Sequence, residues 1–198
     1  MRTATISIRP LLSLVLIQFI GSMAFGKTEE QKYRVVHSEA GFEIRFYPSA
    51  TLATVYSSAK SYKELSGPGF RKLAGYIFGD NSTDTKISMT SPVHMNINNS
   101  QSSMSFVMPS SYTAEKLPEP DDKDVKIEKT PDEYVAAIKF GGYASDEDII
   151  NYSEKLKKLL TEKGIVYYGN FRFLGYDPPF KPFGRRNEII VSVKWDKR

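Results

Sequence analysis

The chain has no cysteine and only two histidines, His37 and His94. The first absence excludes disulfides, thiolate metal centres and lipid anchors on a thiol. The second, with no paired acids in view, leaves little for a metal cluster or a serine–histidine dyad. An excess of charge of one sign is also missing. Of 27 basic residues, Arg2 and Arg9 lie in a segment expected to be removed, and the remaining 25 face 23 acids. A balance of about +2 gives no electrostatic footprint for nucleic acid. No long apolar run is present either, because the uncharged N-terminal stretch ends at Lys27, short of the ~20 residues that span a bilayer.

That N-terminal stretch reads as an export signal covering residues 1–26. Arg2 and Arg9 form a basic start, Leu11 to Ile20 an apolar centre, and Ser22-Met23-Ala24 or Ala24-Phe25-Gly26 a small-x-small cleavage site. The mature protein is therefore expected to be secreted or periplasmic, with no stable membrane span. Asn81-Ser82-Thr83, Asn98-Asn99-Ser100 and Asn151-Tyr152-Ser153 match the glycosylation sequon, which matters only in a eukaryotic host.

At 198 residues the chain suits one domain or two closely packed halves. A constant offset favours the halves. Ile44, Pro48, Leu52 and Val55 are echoed 83 residues later by Ile127, Pro131, Val135 and Ile138. In each half a strand-like run follows the proline, TLATVY from Thr51 and EYVAAIKF from Glu133, and a helical stripe comes next. The first helix is expected to start at Ser66-Gly67-Pro68, with Phe70, Leu73 and Ile77 apolar and Gly79 as terminator. The second has Ser145 as cap, acids in its first turn, and Ile149, Tyr152, Leu156 and Leu159 or Leu160 on its buried face. Strands over 104–108, 167–174 and 188–195 follow, the last with Ile189, Val191, Val193 and Trp195 on one face.

The stretch KISMTSPVHMNI, from Lys86 to Ile97, alternates Ile87, Met89, Ser91, Val93, Met95 and Ile97. It predicts a strand whose opposite, outward side carries Pro92 and His94. A proline there predicts a sheet edge or a bulge near residue 92. Residues 110–124, rich in proline and acid, make a surface connection between the halves, about 33–112 and 125–195. A strand-helix-strand-strand unit cannot bury its sheet face alone. Two copies predict an α+β fold, one antiparallel sheet or distorted barrel carrying two helices.

ISMTSPV (87–93), FVMPSSYTAEKLPEPDDKDVKI (106–127) and YDPPFKPFGRRNEIIV (176–191) resemble the SOUL heme-binding protein family. The resemblance covers essentially residues 33–195, within a single domain at 27–198. It implies the duplicated α+β fold shared with bacterial effector-binding domains, and binding of heme or related tetrapyrroles. It also points to the first helix and the loop before the last strand. There Phe70, Leu73, Ile77, Phe180 and Phe183 would contact a flat ring, and Arg71, Lys72 and Lys181 its carboxylates.

An axial iron ligand is not evident. The chain has no C-x-x-C-H, both histidines fall in unpromising positions, and Met89 and Met95 read as packing. Tyr62 and Tyr76 are further phenol candidates. The leading reading is a non-catalytic carrier or buffer that holds heme without covalent attachment. One alternative is a small-molecule hydrolase using Glu188 with Tyr176. Another is a binding module for some other planar apolar ligand. Arg185 and Arg186 read as structural pairing groups, with Glu188 as a partner.

Overall fold

The computed structural model describes residues 28–196, so the expected export signal lies outside the described residues. The strands are β1 (Glu29–Glu30), β2 (Arg34–Glu39), β3 (Phe42–Tyr47), β4 (Thr51–Ser57), β5 (Thr90–Ser91), β6 (Val93–Asn96), β7 (Ser102–Val107), β8 (Val125–Lys129), β9 (Glu133–Phe140), β10 (Tyr167–Gly175) and β11 (Asn187–Val193). Helix α1 (Tyr62–Phe78) follows β4, and α2 (Asp146–Glu162) follows β9. Nine strands form one antiparallel sheet in the order β2-β3-β9-β11-β10-β6-β7-β4-β8, open at both ends and not closed into a barrel. No helix of the described residues is long and apolar enough to cross a membrane.

The order is symmetric about the β10–β6 junction. One side runs β10, β11, β9, β3, and the other runs β6, β7, β4, β8. Each half of the chain therefore places its first strand beside the other half's strands: β3 pairs with β9, and β8 with β4. The two equivalent turns meet, since Ser49 N–H donates to Asp132 Oδ1 at 2.7 Å and Ala50 N–H to Thr130 Oγ1 at 3.0 Å. The helix starts are joined as well. Asp146, in the first turn of α2, accepts from the Tyr62 N–H of α1 at 2.5 Å.

Cross-strand partners share a face, so the register sorts the sheet into two surfaces. Val55, Met104, Met95, Phe173, Ile189 and Ile138 are successive partners across six strands, and all belong to the main core. Both helices cover that face. Leu65, Leu73, Tyr76 and Ile77 come from α1, Leu156 and Leu160 from α2. The opposite face reads Thr54, Ser105, His94, Leu174, Glu188 and Lys139 in the adjacent row. It is covered in part by the N-terminal segment, where β1 pairs with β5 in parallel and Tyr33 stacks on Tyr47 at 5.2 Å between centroids.

Three sequence expectations change. Helix α1 starts at Tyr62 rather than near Pro68, capped by Ser61, whose side chain accepts from Glu64 N–H. Ser61 and Glu64 carry the spacing of a capping box, and Pro68 is accommodated inside the helix on its exposed side. The 87–97 stretch is broken at the cis Ser91–Pro92 bond into β5 and β6, and Pro92 is buried in that break. Strand β6 lies in the middle of the sheet, not at an edge, because the proline's missing N–H falls between two strands instead of inside one. Finally, His94 is on the face away from the helices as expected, but it is partly buried there, and Gln31 of the N-terminal segment bonds its Nε2 at 2.8 Å.

On that second face Arg45, on the exchanged strand β3, is fully buried against Glu188 of β11. Nη1 and Nη2 reach the two carboxylate oxygens at 2.6 and 3.1 Å. Removing one member of such a pair strands the other charge in a dry environment. Arg45→Met is therefore expected to cost about 3–5 kcal/mol in urea unfolding. Arg45→Met with Glu188→Leu should recover part of that loss. A double-variant loss equal to the sum of the two single losses would show that the pair does not act as a unit.

Candidate ligand site at the β10–β11 loop

The loop between β10 and β11 contains three prolines, Pro178, Pro179 and Pro182, and two phenylalanines that project into solvent. Phe180 is 75% exposed and Phe183 84%. Residues of this size normally bury, so two on one short loop mark a contact surface. The loop neck is closed by Asp177. Its Oδ2 accepts from Arg186 N–H at 2.5 Å and its Oδ1 from Lys181 Nζ at 2.6 Å. Those bonds outweigh the desolvation of Asp177 and hold its carboxyl below the usual range.

The next two residues point to opposite faces. Arg186 goes to the face away from the helices, where it bonds Glu188 at 3.0 Å, Glu30 at 2.7 Å and the Tyr33 hydroxyl at 3.1 Å. Its guanidinium also lies 3.8 Å from the Tyr176 ring centroid. Arg185 stacks on Tyr143 at 4.4 Å and gives its protons to loop carbonyls. It is also close enough to Tyr62, at the start of α1, for its charge to act on that phenol.

The sequence-predicted residues divide accordingly. Leu73 and Ile77 are core residues, at 0% and 1% exposure, and offer no surface to a ligand. Phe70 lies at the rim of the buried stripe, edge-on to Phe106 at 5.2 Å and 41% exposed. Arg71 is exposed, with no ion-pair partner among the described residues. Lys72 is held by Asp122 at 3.6 Å and by Asp124, which raises its pKa. Lys181 is occupied by Asp177. Phe70 is also eight residues beyond Tyr62, about 12 Å along the helix at 1.5 Å per residue. Sequence reasoning missed Tyr143, and it assigned Arg185 to pairing. The partners distinguish the two, carbonyls for Arg185 and carboxylates for Arg186.

The candidate iron ligands are elsewhere or engaged. His37 bonds Glu39 at 2.9 Å and packs on Trp195. His94 lies on the face of the sheet away from the helices. Tyr76 is buried, donates to Pro118 O at 3.0 Å and is pushed up to about 12, chiefly by burial. Burial also raises Tyr62. Met95 packs in the core and Met89 against it.

Glu188 and Tyr176, the residues of the hydrolase alternative, are locked together. Tyr176 donates to Glu188 Oε2 at 2.9 Å, and burial, with Tyr47 and Glu188 nearby, raises the phenol's pKa. Glu188 has no exposed surface, and Arg45, Arg186 and Tyr176 engage both its oxygens. It has no open side from which to meet a substrate. A cavity of about 360 Å³ lies apart from the loop, between residues 29–32, 48–51 and 107–115, and none of the predicted ligand residues lines it.

The architecture, a symmetric antiparallel sheet backed by two helices, is an α+β fold found in other solved structures. The C-terminal domain of EcmrR superposes with a TM-score of 0.62 at 9% identity, covering 82% of this chain and 98% of that one. A hydrolase from Listeria innocua superposes at 0.57 and 10% identity, covering 78% and 92%. Likeness at that identity speaks for the fold alone. Sequence narrows the class. The family described as SOUL heme-binding protein matches residues 28–192, and the chain belongs to that family. It is 32% identical to heme-binding protein 1 of Xenopus laevis over 155 residues, 75% of this chain and 81% of that protein. It is 29% identical to heme-binding protein 1 of Mus musculus over 186 residues, covering 88% and 97%.

His94 gives a pH test of this arrangement. Burial, and secondarily Arg172, push it down to about 3. The folded state keeps the imidazole neutral while the unfolded chain takes up a proton below about 6.5. Stability is then present above pH 6.5 and lost as pH falls towards 3. His94→Gln should remove up to one proton from the slope of stability against pH between 6 and 4, about 1.4 kcal/mol per pH unit. Parallel curves for the two proteins, from denaturant titrations at each pH, would place His94 in solvent.

Proposed function

We propose that the protein is a non-catalytic carrier or buffer for heme or a related tetrapyrrole, gripping it at the β10–β11 loop and the start of α1. The observation that carries this reading is the pair of exposed phenylalanines, Phe180 and Phe183, on a loop fixed at its neck. A tetrapyrrole needs an apolar platform and cations for its propionates. Phe180, Phe183 and Tyr143 supply exposed aromatic surface, and Phe70 adds to it further along α1. Arg71 and Arg185 are cations with no carboxylate partner among the described residues. The family membership supports the ligand class. The basic and apolar pattern of residues 1–26 supports work in a secreted or periplasmic setting.

When bound, heme would supply its iron for ligand exchange or redox chemistry. The residues at the loop hold it by ring contact and charge, and neither histidine stands there. Metal-free protoporphyrin is therefore expected to bind within about tenfold of hemin, a difference of at most ~1.4 kcal/mol. Absorbance and fluorescence titrations measure both. Phe183→Ser should weaken both ligands without lowering the melting midpoint, because that side chain buries little in the free protein. Lys72→Ala should have less effect than Arg71→Ala, since Lys72 is already paired. Hemin binding that collapses in His94→Ala while the metal-free ring still binds would overturn the reading.

A further inference from the structure

The loop of residues 177–184 cannot hold its own shape. Pro178, Pro179 and Pro182 have no N–H, so few donors remain to satisfy its carbonyls. Lys181 N–H closes one turn onto Pro178 O at 3.1 Å. The Asp177 carboxylate closes the neck through Lys181 Nζ and Arg186 N–H, and the other loop carbonyls are served by Arg185. Its Nη1 donates to Pro178 O at 2.6 Å and Lys181 O at 3.0 Å, and its Nη2 to Asp177 O at 3.2 Å. Gly184, at φ +61, supplies the left-handed turn that swings Arg185 back into the loop it follows. Tyr143 covers the guanidinium from outside, and its Nε is buried with no partner.

This use of an arginine is distinctive. Arg186, its neighbour, neutralises Glu188 and Glu30. Arg185 has no carboxylate partner among the described residues, so its positive charge remains at the loop neck. The planar fork can serve three carbonyls at once, which a lysine ammonium on a flexible stem cannot do in the same geometry.

We propose that Arg185 is the positioning residue of the ligand loop. By gathering the carbonyls of Asp177, Pro178 and Lys181 around one guanidinium, it fixes the loop so that Phe180 and Phe183 stay outward and ready for a flat ligand. The ligand half of this proposal rests on the tetrapyrrole reading; the loop half does not. Preorganisation of this kind adds to affinity by removing the ordering cost from the binding step.

The test compares wild type, Arg185→Ala and Arg185→Lys in two measurements. The first is limited chymotrypsin digestion, which reads the bonds after Phe180 and Phe183 with no ligand present. Arg185→Ala should be cut there at least about tenfold faster than wild type, with the rest of the domain intact and the melting midpoint little changed. The second is titration with hemin and with metal-free protoporphyrin, where both should bind at least about tenfold more weakly. Arg185→Lys, which keeps the charge and loses the fork, should behave like Arg185→Ala in both. Wild-type cleavage rates in Arg185→Ala would overturn the proposal. So would full recovery by Arg185→Lys, which would assign the effect to charge alone. If wild type binds neither porphyrin, the tetrapyrrole reading fails, and the cleavage rates still decide the role of Arg185 in the loop.

Discussion

The buried pair of Arg45 and Glu188 ties the two halves of the chain into one body. Arg45 belongs to the first half but sits on β3, a strand donated to the second half's side of the sheet. Glu188 belongs to the second half and sits on β11, two strands away. Their contact fixes the donated strand, and through the same carboxylate it fixes Arg186 and Tyr176 at either end of the ligand loop. A charged group in this position must be satisfied on every side. Arg45, Glu43, Tyr47, Tyr176, Arg186 and Tyr33 accordingly form one hydrogen-bonded and stacked network.

That network separates the two faces of the sheet by role. The face under the helices is apolar and closed, which is why Leu73 and Ile77 cannot also line a ligand slot. The other face sets the buried charge network beside a smaller apolar cluster of Tyr47, Val135, Ala137, Leu174 and Ile190, and the N-terminal segment covers it in part, over Glu188 and His94. The surface proposed to take a flat ligand is at the rim, on the β10–β11 loop. It has exposed aromatic rings because its prolines and Arg185 keep the loop from folding inward. It has unpaired positive charge because Arg185 spends its protons on carbonyls and not on a carboxylate.

Much of this was readable from residue order. The repeat at an offset of 83 residues, the Ser145 cap and the alternation of β11 marked the elements and their sequence. Ser61 and Glu64 marked the true start of α1 too, but the proline seven residues after the cap drew the boundary late. The motif from Tyr176 to Glu188 singled out the loop that carries the two exposed phenylalanines. It did not show that its two arginines face opposite ways, since adjacent side chains diverge only once the strand they enter has a defined pleat.

Local pattern determined which segments would be strands and helices, which faces would be apolar, and which loop carried unusual chemistry. Those properties depend on neighbours within a few residues, and the sequence records them directly. Tertiary structure alone decided that β3 and β8 change sides, that Pro92 falls in a gap between strands in mid-sheet, and that His94 lies beneath Gln31. Each of these depends on which distant strand supplies a hydrogen-bonding edge or a covering segment, and local periodicity contains no term for that choice.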